Sequence, residues 1–139
     1  MNLANALKGQ RKFEEAEKEF RAVVKLQELK PGPEHPDTLA SRTNLANLLH
    51  SEQKYDEAEK EFRAVLLIQQ RTIGPDDPDT GLTHYGLALA LGVQGKFEPS
   101  LDSLKQAEQC WAKRLAPDHP YFQKAKVMRE RIQAAQSAK

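Results

Sequence analysis

The sequence predicts an all-α solenoid of stacked helical hairpins, and three observations carry that prediction. A 42-residue unit recurs, with Gly32-Pro33-Glu34-His35-Pro36-Asp37-Thr38 returning as Gly74-Pro75-Asp76-Asp77-Pro78-Asp79-Thr80. Apolar residues recur at three- and four-residue spacings inside each unit, the signature of amphipathic helices. A pair of prolines punctuates the same place in every copy, preceded by glycine in two of them. A fixed period of this size marks a stacked array, because one hairpin cannot bury its apolar face alone and its neighbours complete the core.

The repeat is close enough to align residue by residue. Asn2-Leu3-Ala4-Asn5 falls on Asn44-Leu45-Ala46-Asn47, and Lys12 to Val23 falls on Lys54 to Val65 with only Phe13/Tyr55 and Glu14/Asp56 differing. A weaker third copy shows in Lys96-Phe97-Glu98 and in Ala116-Pro117-Asp118-His119-Pro120. Residues 1–8 then read as half of a first repeat, and 12–29 as an isolated second helix. Helix pairs follow at about 39–72 and 78–115, and a final helix at about 120–136, seven in all. Within the second copy Leu39, Leu45, Leu48 and Leu49 mark one helix, and Tyr55, Ala58, Phe62, Val65 and Leu66 the next. Ser51 to Lys54 is a tight turn whose counterpart, Gly92 to Gly95, has the glycines expected beyond a helix end. In the linker, Gly74 and Pro75 stop one helix. Pro78 starts the next at a position where its missing N–H costs nothing, and Asp37 and Asp79 lie near the positive end of the helices that follow. The whole is one domain, 1–139: a partial repeat at 1–30, repeats at about 31–72 and 73–115, and a capping helix at about 119–137. That last helix moves its apolar stripe to Phe122, Ala125, Met128 and Ile132 and places Arg129 and Gln133 where earlier copies have leucine, a polar outer face suited to a terminal unit.

Composition narrows the function classes. At 139 residues with 29% charged residues the chain is ordinary for a helix-rich domain. Its apolar runs, such as residues 65–68, fall far short of the roughly 18 residues a membrane helix needs. The first residues already carry the repeat pattern and lack a basic leader, so the expected location is cytoplasmic. Cys110 is the only cysteine, read as a small apolar filler beside Trp111, itself expected in the core. His50 and His84 stand singly, without a second ligand at metal spacing. Asp76-Asp77-Pro78-Asp79 lacks the glycine and distal glutamate of a calcium loop. No phosphate loop, zinc helix, nucleophile elbow or Cys-x-x-Cys motif occurs, so the chain is not expected to be an enzyme and no metal or cofactor is expected. Charge is split: residues 1–95 hold 12 Lys and Arg against 15 Asp and Glu, whereas residues 96–139 hold 9 against 5. Lys113, Arg114, Lys126, Arg129 and Arg131 form a candidate basic patch. Without interleaved exposed aromatics it does not point to nucleic acid.

Asn44-Leu45-Ala46, Lys54-Tyr55-Asp56-Glu57-Ala58-Glu59 and Gly74-Pro75-Asp76-Asp77-Pro78-Asp79 resemble the long, 42-residue tetratricopeptide repeats of kinesin light chains. The resemblance covers nearly the whole chain and extends to bacterial kinesin-light-chain-like proteins, including those found beside bacterial tubulins. It implies a right-handed superhelix of hairpins whose first helices line a concave, peptide-binding groove. The residues it places there are Asn2 and Asn5, then Thr43, Asn44 and Asn47, then Leu82, Tyr85, Gly86 and Leu89, and finally Lys124 and Arg131. Asparagine amides pair with a peptide backbone, the apolar residues form a pocket, and Lys124 offers a charge to an acidic group. The resemblance thus implies a non-catalytic scaffold for a protein or peptide partner. A second reading is an adaptor joining tubulin-like filaments to membrane or cargo through the basic C-terminal end, for which an anionic membrane surface is the expected contact. Self-association through the open N-terminal end is a third.

Overall fold

The computed structural model describes residues 3–138, with side chains from residue 9 onward. Six helices and no strand are found among these residues: α1 (Leu3–Leu29), α2 (Pro36–Ser51), α3 (Tyr55–Thr72), α4 (Pro78–Val93), α5 (Phe97–Arg114) and α6 (Pro120–Ser137). The all-α expectation holds, with six helices rather than seven because residues 3–29 form one continuous helix. At the two later turns the chain reverses through left-handed backbone, at Gln53 (φ 67°) and Gly95 (φ 78°). The matching residue is Arg11, for which that conformation costs about 1–2 kcal/mol. Gln53 adopts it where Lys54 is held 2.8 Å from Glu17. Around Arg11 helix continuation keeps the backbone bonds, at the milder cost of about 1 kcal/mol for Gly9 in a helix interior.

The linkers are built alike. Gly74 closes α3 with φ 94°, its N–H donating to the Gln69 carbonyl at 2.8 Å, a backbone that a side chain would strain. Thr80, fully buried, returns its hydroxyl to the Gly74 carbonyl at 2.8 Å. One period earlier Thr38 does the same to Gly32 at 2.7 Å. Each following helix has proline at its first turn and a side-chain cap before it: His35 Nδ1 accepts from the Asp37 N–H, Asp77 Oδ1 from Asp79, and His119 Nδ1 from Tyr121. Such a cap contributes about 1 kcal/mol.

The chain packs as two compact units, Met1–Glu61 and Phe62–Lys139. In the first, α1 lies on α2, with Val24, Leu39, Leu45 and Leu49 buried. Glu17 receives Lys54 and Arg21, both at 2.8 Å, and these hydrogen bonds hold its carboxyl down at about 2. Arg42 forks onto both oxygens of Glu61 at 3.1 and 3.2 Å.

In the second unit α4 pairs with α5 and α6 covers α5. Ala88, Leu104, Ala107, Trp111, Ala125 and Ile132 make the core, and Phe122 and Met128 pack against it. Trp111 is its centre. The indole N–H donates to the Pro78 carbonyl at 3.2 Å, and the ring meets Tyr121 and Phe122 at centroid separations of 5.1 and 6.0 Å. Gly81 makes room for it: a Cβ there would lie 2.7 Å from Trp111 Cδ1 and closer still to the indole nitrogen. Gly86 likewise receives Phe62, with 2.5 Å from a Cβ to Cε1. Cys110 is buried with its thiol on the Asp77 carbonyl at 2.9 Å, and burial pushes its pKa up, a packed and unreactive cysteine.

His84 is a buried imidazole in this core, with Nδ1 unpartnered. Burial pushes its pKa down, opposed in part by Asp102 on α5. The unfolded chain therefore binds this proton more readily than the folded one. Stability is then full above the unfolded value near 6.5 and falls as pH drops through it. His50, also lowered by burial, acts in the same direction. Denaturation midpoints are expected to fall between pH 7 and pH 5, and His84→Gln to flatten that slope; an unchanged slope in His84→Gln would remove His84 as its source.

Candidate functional site

The second unit carries a groove of about 390 Å³ along α4 and α6, lined by Tyr85, Pro120, Gln123, Lys124, Val127, Met128 and Arg131. Helical periodicity explains the α6 contribution, since Pro120, Lys124, Val127 and Arg131 recur every three or four residues and so share one face. Pro120 stands at the first turn, where the His119 cap fixes how α6 starts. Met128 straddles groove and core. Tyr85 comes from α4, half-buried, with its ring 6.3 Å from Trp111. Burial pushes the Tyr85 hydroxyl pKa up and Arg131 pulls it partly back, so at neutral pH it is a neutral donor and acceptor.

Two cations bracket this apolar floor. Lys124 and Arg131 are two turns apart, about 10 Å along the helix, and neither has a carboxylate partner among the described residues. A groove with a phenol, a thioether and two unneutralised cations suits a ligand that combines an apolar side chain with acidic groups.

The structure thus brings Tyr85, Lys124 and Arg131 to one place. Leu89 is half-buried one turn beyond Tyr85 and does not line the groove, Leu82 packs on the core, and Gly86 is buried against Phe62. In the first unit Asn44 and Asn47 are exposed on α2. Thr43 is half-buried, its hydroxyl donating to the Leu39 carbonyl at 2.9 Å. Asn2 lies outside the described residues, and the Asn5 side chain does as well. Gln123, Val127 and Met128 are additions to the groove; Val127 and Met128 fall one period after Tyr85 and Gly86, a signal the repeat held, whereas Gln123, next to Lys124 in the chain, had none. A second cleft, of about 480 Å³, lies among Arg21, Lys25 and Glu28 of α1, Arg42 and Leu45 of α2 and Glu61. There the charges are largely paired already, Arg42 with Glu61 and Arg21 with Glu17.

The basic patch does not stand as one free surface. Lys113 lies 4.0 Å from Asp76 and Arg114 3.5 Å from Asp77, while Arg129 is held by both oxygens of Glu108. Of its members Lys126 and Arg131 have no ion-pair partner among the described residues. No group of three His, Cys, Asp or Glu positioned for a metal occurs among the described residues, and no helix there is long and apolar enough to cross a membrane.

Comparison with known proteins agrees with this architecture. The model of the tetratricopeptide repeat matches residues 1–59 and 42–113. A crystal structure of a candidate kinesin light chain of Podosopora anserina, with nearly identical TPR-like repeats, superposes with a TM-score of 0.72 at 25% identity, covering 97% of this chain and 73% of that one. A crystal structure of a point variant of that same protein gives 0.72 at 24% identity over 99% and 78%. Among curated proteins none matches this sequence. The groove-bearing helical hairpins and the repeat match together assign this chain to the tetratricopeptide repeat family, a class of protein-interaction scaffolds, with kinesin light chain-type repeats.

Proposed function

We propose that the chain holds a linear segment of a partner protein in the groove on α4 and α6, through an apolar side chain flanked by acidic ones. The observation that carries this reading is the convergence of Tyr85, Val127 and Met128 with two cations that lack carboxylate partners among the described residues, Lys124 and Arg131. An apolar floor supplies burial, about 25 cal/mol per Å² removed from water, and the cations supply direction and selectivity.

The test is fluorescence polarisation with labelled peptides bearing one aromatic or aliphatic residue between glutamates, against the same peptides with glutamine. The acidic series is expected to bind more tightly. Lys124→Ala and Arg131→Ala should each weaken it by about 1–2 kcal/mol and leave the glutamine series unchanged. Equal affinity of both series would discard the reading. Asn44→Ala with Asn47→Ala is a separate probe of α2, expected to cost about 1–3 kcal/mol if partner groups are left unpaired there.

The alternative, a cytoskeletal adaptor that links tubulin-like filaments to anionic membrane through the C-terminal end, draws on the excess of basic residues in 96–139. It is weakened by the acids already facing Lys113, Arg114 and Arg129. Co-sedimentation with filaments or vesicles that responds to reversal of Lys126 but not to Tyr85→Ala would favour it over the groove.

A further inference from the structure

We propose that Met128 is an oxidative modification site: a peroxide converts its thioether to the sulfoxide, Lys124 and Arg131 turn onto the new oxygen, and the groove releases the partner segment. The last step rests on the reading of the groove given above; the first two rest on the surroundings of the sulfur.

The chain has three sulfur atoms, in Met1, Cys110 and Met128. Met1 lies outside the described residues. Cys110 is buried with its thiol on the Asp77 carbonyl, and burial pushes its pKa up, which withholds the reactive thiolate. Met128 is only half-buried. One side packs on the cluster of Trp111, Ala125 and Ile132, and the other lines the open groove. A thioether has no proton to lose before it reacts, so its sulfur lone pair is available at any pH. The repeat does not call for methionine here, since one and two periods earlier the chain has Gly86 and Asn44.

In the reaction the sulfur lone pair attacks one peroxide oxygen. The S–O bond forms as the O–O bond breaks, and the second oxygen leaves as water with both peroxide protons. Sulfur gives up two electrons and the peroxide takes them. The product is polar and chiral, and its oxygen needs a donor. The core side offers none among the described residues: the cluster is apolar, and the indole N–H of Trp111 is already given to the Pro78 carbonyl. The groove side offers two. Lys124 lies four residues before Met128 and Arg131 three after it, neighbours on the helix surface with about 5–6 Å between Cβ atoms. Neither has a carboxylate partner among the described residues. Oxidation therefore makes the floor polar and occupies the two cations that would take the acidic groups of a ligand. Because the new acceptor is paired, the fold survives the change.

The test treats the folded full chain with hydrogen peroxide, locates the added oxygen by mass spectrometry, and repeats the polarisation titration with a labelled peptide carrying leucine between glutamates. Met128 is expected to gain one oxygen while Cys110 keeps its thiol. Affinity should fall at least about tenfold and recover after treatment with a methionine sulfoxide reductase and a thiol reductant. Met128→Leu, a volume-conserving swap that keeps Met1 and Cys110, is expected to bind equally before and after peroxide, whatever its own affinity. Met128 staying reduced until the chain is unfolded would overturn the proposal. So would an affinity that holds after Met128 is oxidised, or that falls as far in Met128→Leu. If the untreated chain binds neither peptide series, the groove reading fails by itself, and urea denaturation decides the fate of the sulfoxide. Oxidation is expected to lower the midpoint more in Lys124→Ala with Arg131→Ala than in the unaltered chain; an equal shift in both would overturn the proposal.

Discussion

Trp111→Ala is expected to lower the unfolding free energy by about 3–5 kcal/mol, the range for removing a large aromatic side chain from a packed core. Trp111 is 1% exposed and touches three ring systems, so its loss opens a cavity bordered by Tyr85, Tyr121 and Phe122 that α4, α5 and α6 cannot close by a small shift. The Pro78 carbonyl also loses its indole donor. Urea denaturation followed by circular dichroism measures the effect, and a loss under about 1 kcal/mol would mean that the core repacks freely. Groove binding should suffer in the same variant, because the Tyr85 ring rests against the indole.

Gly81→Ala is expected to destabilise by about 1–3 kcal/mol even though alanine is the better helix former. The reason is the contact with the indole, where a Cβ would sit within 3 Å of Trp111. The double variant carries a sharper expectation. In a Trp111→Ala background the methyl meets no ring, only the ordinary propensity difference remains, and Gly81→Ala should then stabilise by up to about 1 kcal/mol. A change of sign between the two backgrounds is the result expected in a double-mutant cycle. The same sign in both would show that the backbone at Gly81, not the indole, sets its cost. Position 39, one period earlier, holds leucine, so the glycine belongs to the tryptophan and not to the repeat.

Much of the architecture was legible in the sequence because its strongest determinants are local. Proline at the first turn, glycine after the last and a leucine pattern between them place α2 to α5 within a few residues of their observed bounds. Trp111 and Cys110 could be assigned to the core from the helical stripe they extend. What was not legible depends on competition or on distant partners. Whether the chain turns at Arg11 or runs on depends on the backbone cost of one left-handed residue against contacts that would offset it, and the repeat pattern alone overstated those contacts. The caps at His35 and His119 require an imidazole rotated toward an N–H, which no spacing reveals. Arg114 finds Asp77 37 residues away, so counting basic residues along the C-terminal end overstated its free charge. For the groove, Tyr85 and Lys124 were accessible by alignment of repeats. Val127 and Met128 fall one period after Tyr85 and Gly86 and were open to the same alignment. Gln123 was not, since it falls one period after Gly81, which lies against Trp111 and not in the groove.

The linker clasp has a consequence for how such a chain lengthens. Thr38 bonds to Gly32 and to the Gln27 carbonyl, and Thr80 to Gly74, so each junction is completed within about a dozen residues of its own sequence. A junction of this kind is portable: copied with its period, it brings along every group needed to set the next helix on its course. Duplication of residues 32–73 would then add a hairpin without new compensating changes at the seam. Near-identity between copies is what recent growth by that route leaves behind, and the 10 matches in 12 between residues 12–23 and 54–65 have that form.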